Sequence, residues 1–245
     1  MAEAFFYIYD GVLKMSVRYL SNDLIKIDKT EALRYLSYKS ENVDEITSKL
    51  LNESLAELMD ICRLKYVFRI FNLNKQNNHI SFENKINIIS NDLMNLFAHC
   101  ERSAVMAATI GFETEKRIRY YSMTDLSKAL IFDALATACI EALCDAAEAE
   151  IKSLAANEGC SITFRYSPGY GDVSISHQRE ILSALNAQRL IGLTVSDSSI
   201  LIPRKSVTAF IGFDKSKNEY KNNCLNCNLF ESCNYSREGE KCRVK

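Results

Sequence analysis

Several residue types are scarce in this chain, and each scarcity excludes a class of protein. The 245 residues include no tryptophan, only two prolines (Pro168 and Pro203) and three histidines. No run of about 18 apolar residues occurs, so the sequence predicts no membrane-spanning helix and no membrane partner. The short apolar run at 4–9 has no basic segment before it, unlike a secretory signal. We therefore expect a protein of the reducing cytoplasm.

Motifs that bind nucleotide phosphates or form common hydrolase sites are also missing. The chain has no Walker-type loop, no G-x-G-x-x-G, no H-E-x-x-H and no serine in a G-x-S-x-G elbow. The formal net charge is −1, so no overall positive charge attracts nucleic acid. The sequence thus disfavours hydrolases of these types and predicts no nucleic-acid partner.

The apolar residues, 47 % of the chain, are spaced as short strands and separate helices. This mixture predicts an α+β fold with an antiparallel sheet. Asp28 resembles a helix start, and Asn91 is expected to cap a helix that runs to about residue 100. Strands or hairpins are predicted at 17–27, 66–73, 80–88, 103–111, 162–166, 199–202 and 206–213, and helices at 42–62, 112–124, 125–157 and 175–192.

The loop FRYSPGYGD, residues 164–172, is the first candidate for chemistry. Pro168 fixes one backbone angle and Gly169 can take a positive φ, so this turn holds one shape. Arg165 stands at its entrance and Tyr170 at its tip. Such a loop can present backbone groups and a guanidinium to a small ligand. The same pattern also fits a plain connection between a strand and a helix.

A polar stripe on the long predicted helix is the second candidate. Asp133, Thr137, Glu141 and Asp145 recur every four residues and therefore share one helix face. For most of the stripe we expect a solvated face. Glu141 is the exception, because small alanines flank it and would admit a cationic or hydroxyl-bearing group.

Nine cysteines occur, and four of them form the pattern C-x2-C-x5-C-x8-C near the end of the chain. Four thiolates from one segment can bind zinc or an iron–sulfur cluster. A tail with free thiols fits the same spacing. The four are Cys224, Cys227, Cys233 and Cys242. The other five are expected to be small core residues: Cys62, Cys100, Cys139, Cys144 and Cys160.

Both prolines fall in one pattern, which consists of Arg-x-x-Pro-Gly-Tyr at 165–170, an Ile-Gly step at 191–192, and Pro-x-x-Ser-Val at 203–207. This pattern resembles the activation domain of cobalamin-dependent methionine synthase. Gln178 and the segments EALRYLSYK and FDALATACIEALCD add to the resemblance, which covers roughly 17–213. It implies a fold of mixed helices on a twisted antiparallel sheet. It divides the chain into an N-terminal extension (1–16), an activation-domain-like unit (17–214) and a Cys-rich tail (215–245).

The resemblance implies a protein that binds S-adenosylmethionine and passes its methyl group to cob(I)alamin on a partner protein. Arg165 matches the arginine that holds the ligand's carboxylate, and Glu141 matches an acid at its amino end or ribose. Tyr170 matches a tyrosine that faces the corrin. Backbone contacts come from positions equivalent to Ser167, Gly169 and Asp172, and Tyr220 matches a later tyrosine near the ligand if one residue is inserted.

The chain also departs from the family pattern. Where the family has a proline after the tyrosine, this chain has Gly171. No cobalamin, homocysteine or folate domain is present, so we expect action in trans. The partner is then a corrinoid-binding methionine synthase or methyltransferase subunit, with flavodoxin or ferredoxin as electron donor. Short relatives often end in a similar Cys-rich segment, matched here by Cys224, Cys227, Cys233 and Arg237.

Two other functions stay open at this point. The tail, with iron–sulfur or zinc, can make the chain an accessory that docks on a corrinoid protein and delivers an electron rather than a methyl group. A simple docking module for the corrinoid protein is the third interpretation.

Overall fold

The computed structural model describes residues 3–9, 12–36 and 43–216. Its helices and strands alternate irregularly along the chain, which is typical of an α+β protein. The strands are β1 (Glu3–Tyr9), β2 (Val12–Leu20), β3 (Leu64–Gln76), β4 (His79–Phe82), β5 (Ile86–Ile89), β6 (Cys100–Thr109), β7 (Ser161–Ile162), β8 (Thr194–Val195), β9 (Leu201–Ile202) and β10 (Ser206–Asp214). The helices are α1 (Lys29–Tyr35), α2 (Glu45–Ile61), α3 (Asn91–Leu96), α4 (Phe112–Thr124), α5 (Leu126–Asn157), α6 (Gln178–Leu185) and α7 (Ala187–Ile191).

One antiparallel sheet organises the molecule. Its strand order is β1-β2-β3-β6-β10-β7, and β4 and β5 extend from the far end of β3. The central strand β6 pairs with β3 on one side (Val67 opposite Ala107) and with β10 on the other (Val105 opposite Phe210). The small β8–β9 hairpin is separate. This arrangement confirms the predicted α+β class with an antiparallel sheet.

Apolar side chains cover both faces of the sheet and form two cores. On one face, the 32-residue helix α5 packs with α1 and α2 over side chains such as Phe68 and Ile211. On the other face, α3, α6 and α7 pack over residues such as Val67 and Phe210. Side chains alternate between the faces of each strand, so neighbours in sequence serve different cores.

The structure corrects several predicted boundaries. Ser90, not Asn91, caps α3, because its hydroxyl accepts a hydrogen bond from the Leu93 amide, and the helix ends at Leu96 rather than near residue 100. The strand predicted over 162–166 is reduced to β7 and one isolated bridge between Tyr166 and Phe210. By contrast, Asp28 caps α1 and the helix over 125–157 forms as predicted.

Of the two proposed domain boundaries, one falls inside a strand and the other at the end of a strand. Strand β2 runs through the boundary between 16 and 17 and pairs with β3, so residues 12–16 join the sheet. At the other end, β10 ends at Asp214, where the tail was expected to begin. None of the helices in the described part of the chain combines the length and the apolar run needed to cross a bilayer.

Candidate functional site

The loop between β7 and α6 consists of two consecutive turns. The Tyr170 amide donates to the Ser167 carbonyl over 3.3 Å, with Pro168 and Gly169 at the centre of that turn. Gly169 has φ of +96°, as the sequence predicted. Proline followed by a positive-φ glycine is the type II pattern. The Val173 amide then donates to the Tyr170 carbonyl over 3.1 Å, which leaves the Tyr170 side chain at the tip, 66 % exposed.

Carboxylates fasten this loop to the start of α3. Asp172 accepts hydrogen bonds from the Ser90 hydroxyl and, at 2.7 Å, from the Asn91 amide. Removal from water favours the neutral acid, but these donors outweigh that effect and lower the pKa of Asp172. In return, Asp92 accepts from the Asp172 amide at 3.2 Å and from the Tyr166 hydroxyl at 3.0 Å. The Asp172 side chain is therefore engaged within the protein.

Gly171 is required by this arrangement. Its φ is +51°, a conformation that proline cannot adopt. A Cβ at this position would also overlap the Asp92 carboxylate and the Tyr166 hydroxyl. The departure from the family's proline thus has a local cause, since this chain holds the loop against α3 through Asp92 and Tyr166.

Arg165 leaves the sheet next to the loop and points at α5. Its side chain is only 5 % exposed, and three carboxylates of α5 surround its guanidinium. Nη2 donates to Glu141 at 3.0 Å, and Nη1 donates to Asp145 at 2.9 Å. Glu148 Oε2 lies 3.1 Å from Nη1. Burial alone would lower the pKa of Arg165, but the surrounding carboxylates raise it, so the guanidinium stays charged.

This group, the Arg165 cluster (Arg165, Glu141, Asp145 and Glu148), joins three carboxylates to one guanidinium. Glu141 and Asp145 also take part in interactions beyond these. Glu148 Oε2 is buried and, among the described residues, has no hydrogen-bond partner, because its contact with Arg165 is an ion pair without hydrogen-bond alignment. The three acids keep 46 %, 41 % and 28 % of their side chains exposed, so the cluster faces solvent on one side. Its exposed side is formed by acidic side chains.

The acids of the polar stripe on α5 are partly exposed, and they also form ion pairs that the spacing did not predict. Lys205, at the start of β10, donates to the Thr137 hydroxyl at 2.7 Å and lies 2.9 Å from Asp133 Oδ1. Asp145 and Glu141 pair with Arg165. The helical spacing identified the stripe correctly. It could not reveal the partners of these side chains, because Lys205 and Arg165 are distant from them in sequence.

A second ion cluster lies further along α5, and its central carboxylate, Glu150, is surrounded by donors. Glu150 accepts from Arg18 at 2.8 and 2.9 Å, from the Tyr66 hydroxyl at 2.6 Å and from Ser16 at 2.9 Å. Burial raises the pKa of Glu150, but these donors outweigh it and lower the pKa overall. We call these residues the Glu150 cluster. It ties α5 to β2 and β3.

The structure brings Glu141 and Arg165 into contact and places Ser167, Gly169, Tyr170 and Asp172 in the adjoining loop. Asp145, Glu148 and Lys205 were not singled out as ligand residues in the sequence, and their contacts arise from tertiary packing. Of the five cysteines expected in the core, four are buried and Cys160 is partly exposed. Tyr220 and the tail cysteines lie outside the described residues. Within residues 3–9, 12–36 and 43–216, no group of three histidine, cysteine or acidic residues is arranged to hold a metal ion.

An open depression of about 570 Å³ lies elsewhere, between the end of α2 and helix α4. Its lining mixes charges of both signs, and Arg117 there already pairs with Glu57. It contains none of the residues that the sequence analysis selected. The residues that line it are Asp60, Ile61, Arg63, Glu113, Lys116, Arg117 and Tyr120.

Comparison with known families decides the classification. The family model described as "Vitamin B12 dependent methionine synthase, activation domain" matches residues 59–228, which is more than half of the chain. The chain belongs to this family. No curated protein sequence matches it.

A solved structure supports the same fold. It is described as "Crystal Structure of the MetH Reactivation Domain bound to AdoHcy", where AdoHcy is S-adenosylhomocysteine. The two structures agree with a TM-score of 0.63 at 15 % sequence identity, over 84 % of this chain and 80 % of that one. At this identity the likeness establishes the fold.

Several positions of the pattern have a local structural role in this chain. Gly192 ends α7 with φ of +74°, which explains the Ile-Gly step. In Pro-x-x-Ser-Val, the Ser206 hydroxyl donates to the Pro203 carbonyl at 2.7 Å and closes the turn into β10. The Ile202–Pro203 peptide is cis. The buried Gln178 accepts from Thr208 at 2.6 Å and joins α6 to β10.

Proposed function

We propose that this activation-domain protein binds S-adenosylmethionine beside the Arg165 cluster and presents its methyl group to cobalamin on a partner protein. One observation carries the proposal. In a chain of this family, an acid-rich cluster on α5 lies next to a fixed loop, and Tyr170 is exposed at the tip of that loop. S-adenosylmethionine carries a sulfonium and an ammonium, which suit a site lined by acidic side chains.

The reaction requires positioning rather than acid–base chemistry from the protein. Cobalamin on the partner, once reduced by one electron to cob(I)alamin, would supply the nucleophile for the methyl group, and S-adenosylhomocysteine would be the leaving group. The Arg165 cluster would hold the methionyl end, with backbone groups from Ser167 and Gly169. Tyr170 would face the corrin, so that the methyl group lies in line with cobalt.

The finer features of this role rest on the family resemblance. We propose action in trans, in the cytoplasm, on a corrinoid-binding methionine synthase or methyltransferase subunit. Flavodoxin or ferredoxin would supply the electron. We also propose that Cys224, Cys227, Cys233 and Cys242 bind zinc or an iron–sulfur cluster, which metal analysis and the absorbance of anaerobically purified protein would distinguish.

A methyl-transfer assay tests the proposal. The full chain is mixed with a methionine synthase that carries cob(II)alamin but lacks its own activation domain, with titanium(III) citrate as reductant and methyl-labelled S-adenosylmethionine. We expect label on cobalamin only when the chain is present. Tyr170→Phe should slow the transfer, whereas Tyr120→Phe, an exposed tyrosine on α4, should not. No labelled cobalamin above the reaction without the chain would contradict the proposal.

A further inference from the structure

The hydroxyl of Tyr166 reaches the tip of the 164–172 loop from the sheet. The backbone of Tyr166 is fixed to β10, because its amide donates to the Phe210 carbonyl at 3.0 Å and its carbonyl accepts from the Phe210 amide at 2.8 Å. Its hydroxyl lies 3.0 Å from Asp92 Oδ2 and 3.2 Å from the Tyr170 carbonyl oxygen. One side chain thus joins the sheet to α3 and to the residue at the loop tip.

The loop tip depends on hydrogen bonds more than on packing. Tyr170 is 66 % exposed, so neighbouring atoms do little to hold its side chain. Gly171 follows it, and glycine has the least restricted backbone of all residues. The Tyr170 backbone is held by the Ser167 carbonyl, the Val173 amide and the Tyr166 hydroxyl. Of these three groups, only the hydroxyl reaches the tip from a residue bonded to the sheet.

Asp92 holds the Tyr166 hydroxyl in this position. A phenolic hydroxyl has one hydrogen to donate, which is shared here between the Asp92 carboxylate and the Tyr170 carbonyl. Partial burial and the bond to Asp92 raise the pKa of Tyr166, so the hydroxyl stays protonated and remains a donor. Asp92 also accepts from the Asp172 amide at 3.2 Å. The network therefore connects both sides of the loop tip to the first turn of α3.

We infer that Tyr166 is a positioning residue for methyl transfer, which acts through Asp92 and the Tyr170 backbone to keep the Tyr170 ring where it meets the corrin. This inference rests on the proposed function and goes beyond it, since Tyr166 is assigned no contact with ligand or corrin. Removal of the hydroxyl leaves the backbone bonds to Phe210 in place, so Arg165 keeps its position at the loop entrance. The affinity for S-adenosylmethionine should therefore persist while the rate of transfer falls.

The test is Tyr166→Phe, with Tyr121→Phe as its matched control. The Tyr121 hydroxyl also donates to a carboxylate, that of Glu57 at 2.6 and 2.7 Å, but its ring belongs to the core on the opposite face of the sheet. Both variants should lower the melting temperature by about 2–4 °C. At saturating S-adenosylmethionine, methyl transfer to the partner's cobalamin should slow by about tenfold or more only in Tyr166→Phe. Calorimetry on the full chain should show that the affinity for S-adenosylmethionine changes by less than about threefold in both.

Asp92→Ala tests the same network from the other side. It should slow methyl transfer to an extent similar to that of Tyr166→Phe. The double variant should be no slower than the slower single variant, because both changes break one connection. Either single variant, if folded, is sufficient for the test.

Several results would overturn the inference. A wild-type rate of transfer in folded Tyr166→Phe or Asp92→Ala would show that the tip is held without them. Equal slowing by Tyr121→Phe would mean that the rate follows general stability. A weakened affinity with an unchanged rate would place Tyr166 in ligand binding instead. Failure of the wild type to transfer the methyl group would overturn the proposed function, on which the inference rests.

Discussion

Helix α5 carries two ion clusters of different composition. In the Glu150 cluster, one carboxylate is surrounded by donors from Arg18, Tyr66 and Ser16 and is satisfied by them. In the Arg165 cluster, one guanidinium is shared among three carboxylates, which remain partly exposed. The donors around Glu150 satisfy a buried carboxylate and tie α5 to the sheet. The Arg165 cluster is the group beside which we propose that the ligand binds.

The matched pair Glu150→Gln and Glu148→Gln gives the largest expected contrast. Both remove one glutamate charge from the same helix. Glu150→Gln removes the carboxylate that Arg18, Tyr66 and Ser16 share and should lower the free energy of unfolding by about 3 kcal/mol. Glu148→Gln leaves Arg165 its contacts with Glu141 and Asp145 and should change the free energy of unfolding by less than about 0.5 kcal/mol. Urea unfolding measures both, and equal losses would erase the distinction between the clusters.

Arg165→Met removes the guanidinium that the three carboxylates share. Because these side chains are partly exposed and can turn toward water, we expect a loss of about 2 kcal/mol in unfolding free energy. Binding of S-adenosylmethionine should fall by more than about tenfold, since the carboxylates lose their fixed positions. Thermal unfolding and calorimetry provide the two readouts. An unchanged affinity in a folded variant would show that the cluster is not the ligand site.

Gly171→Ala probes how the loop is held, with Gly159→Ala as its control. Both glycines have positive φ, +51° and +74°, but only at Gly171 would a Cβ meet other atoms. We expect Gly159→Ala to cost about 1 kcal/mol of stability and Gly171→Ala about 1 kcal/mol more. Methyl transfer should fall only for Gly171→Ala, because Tyr170 loses its fixed position. Equal transfer rates in both variants would argue against a loop held in place through Asp92 and Tyr166.

The smallest expected effect is on the pH dependence of stability. The pKa of Glu150 in the folded protein is lowered from its ordinary value of 4.5. Its contribution is therefore fully present well above pH 4.5 and is lost as the pH falls through the folded pKa. Acid unfolding of Glu150→Gln should show a weaker pH dependence in this window than the wild type. An identical slope would mean that Glu150 is not held as a carboxylate.

The sequence predicted local structure well where a short pattern was sufficient. The positive φ of Gly169 and the cap at Asp28 depend on neighbours within a few residues, and both were predicted correctly. The four-residue recurrence of Asp133, Thr137, Glu141 and Asp145 placed them correctly on one face.

The partners of that face were not predictable, because they come from distant parts of the chain. Lys205 is 68 residues from Thr137, and Arg165 is 24 residues from Glu141. Only the register of β10 and the path of the segment after β7 bring these cations over α5. The Asp92 and Tyr166 contacts around Gly171 likewise require α3 to pack against the loop. Local periodicity specifies which side chains share a helix face, but it does not specify what lies opposite.

The most direct test of this account is the binding of S-adenosylmethionine to three forms of the full chain by calorimetry. The account predicts saturable binding to the wild type, a loss of at least about tenfold in Glu141→Gln, and an unchanged affinity in Glu150→Gln measured at a temperature where that variant is folded. Absence of binding to the wild type up to millimolar ligand, or an equal loss in both variants, would contradict it.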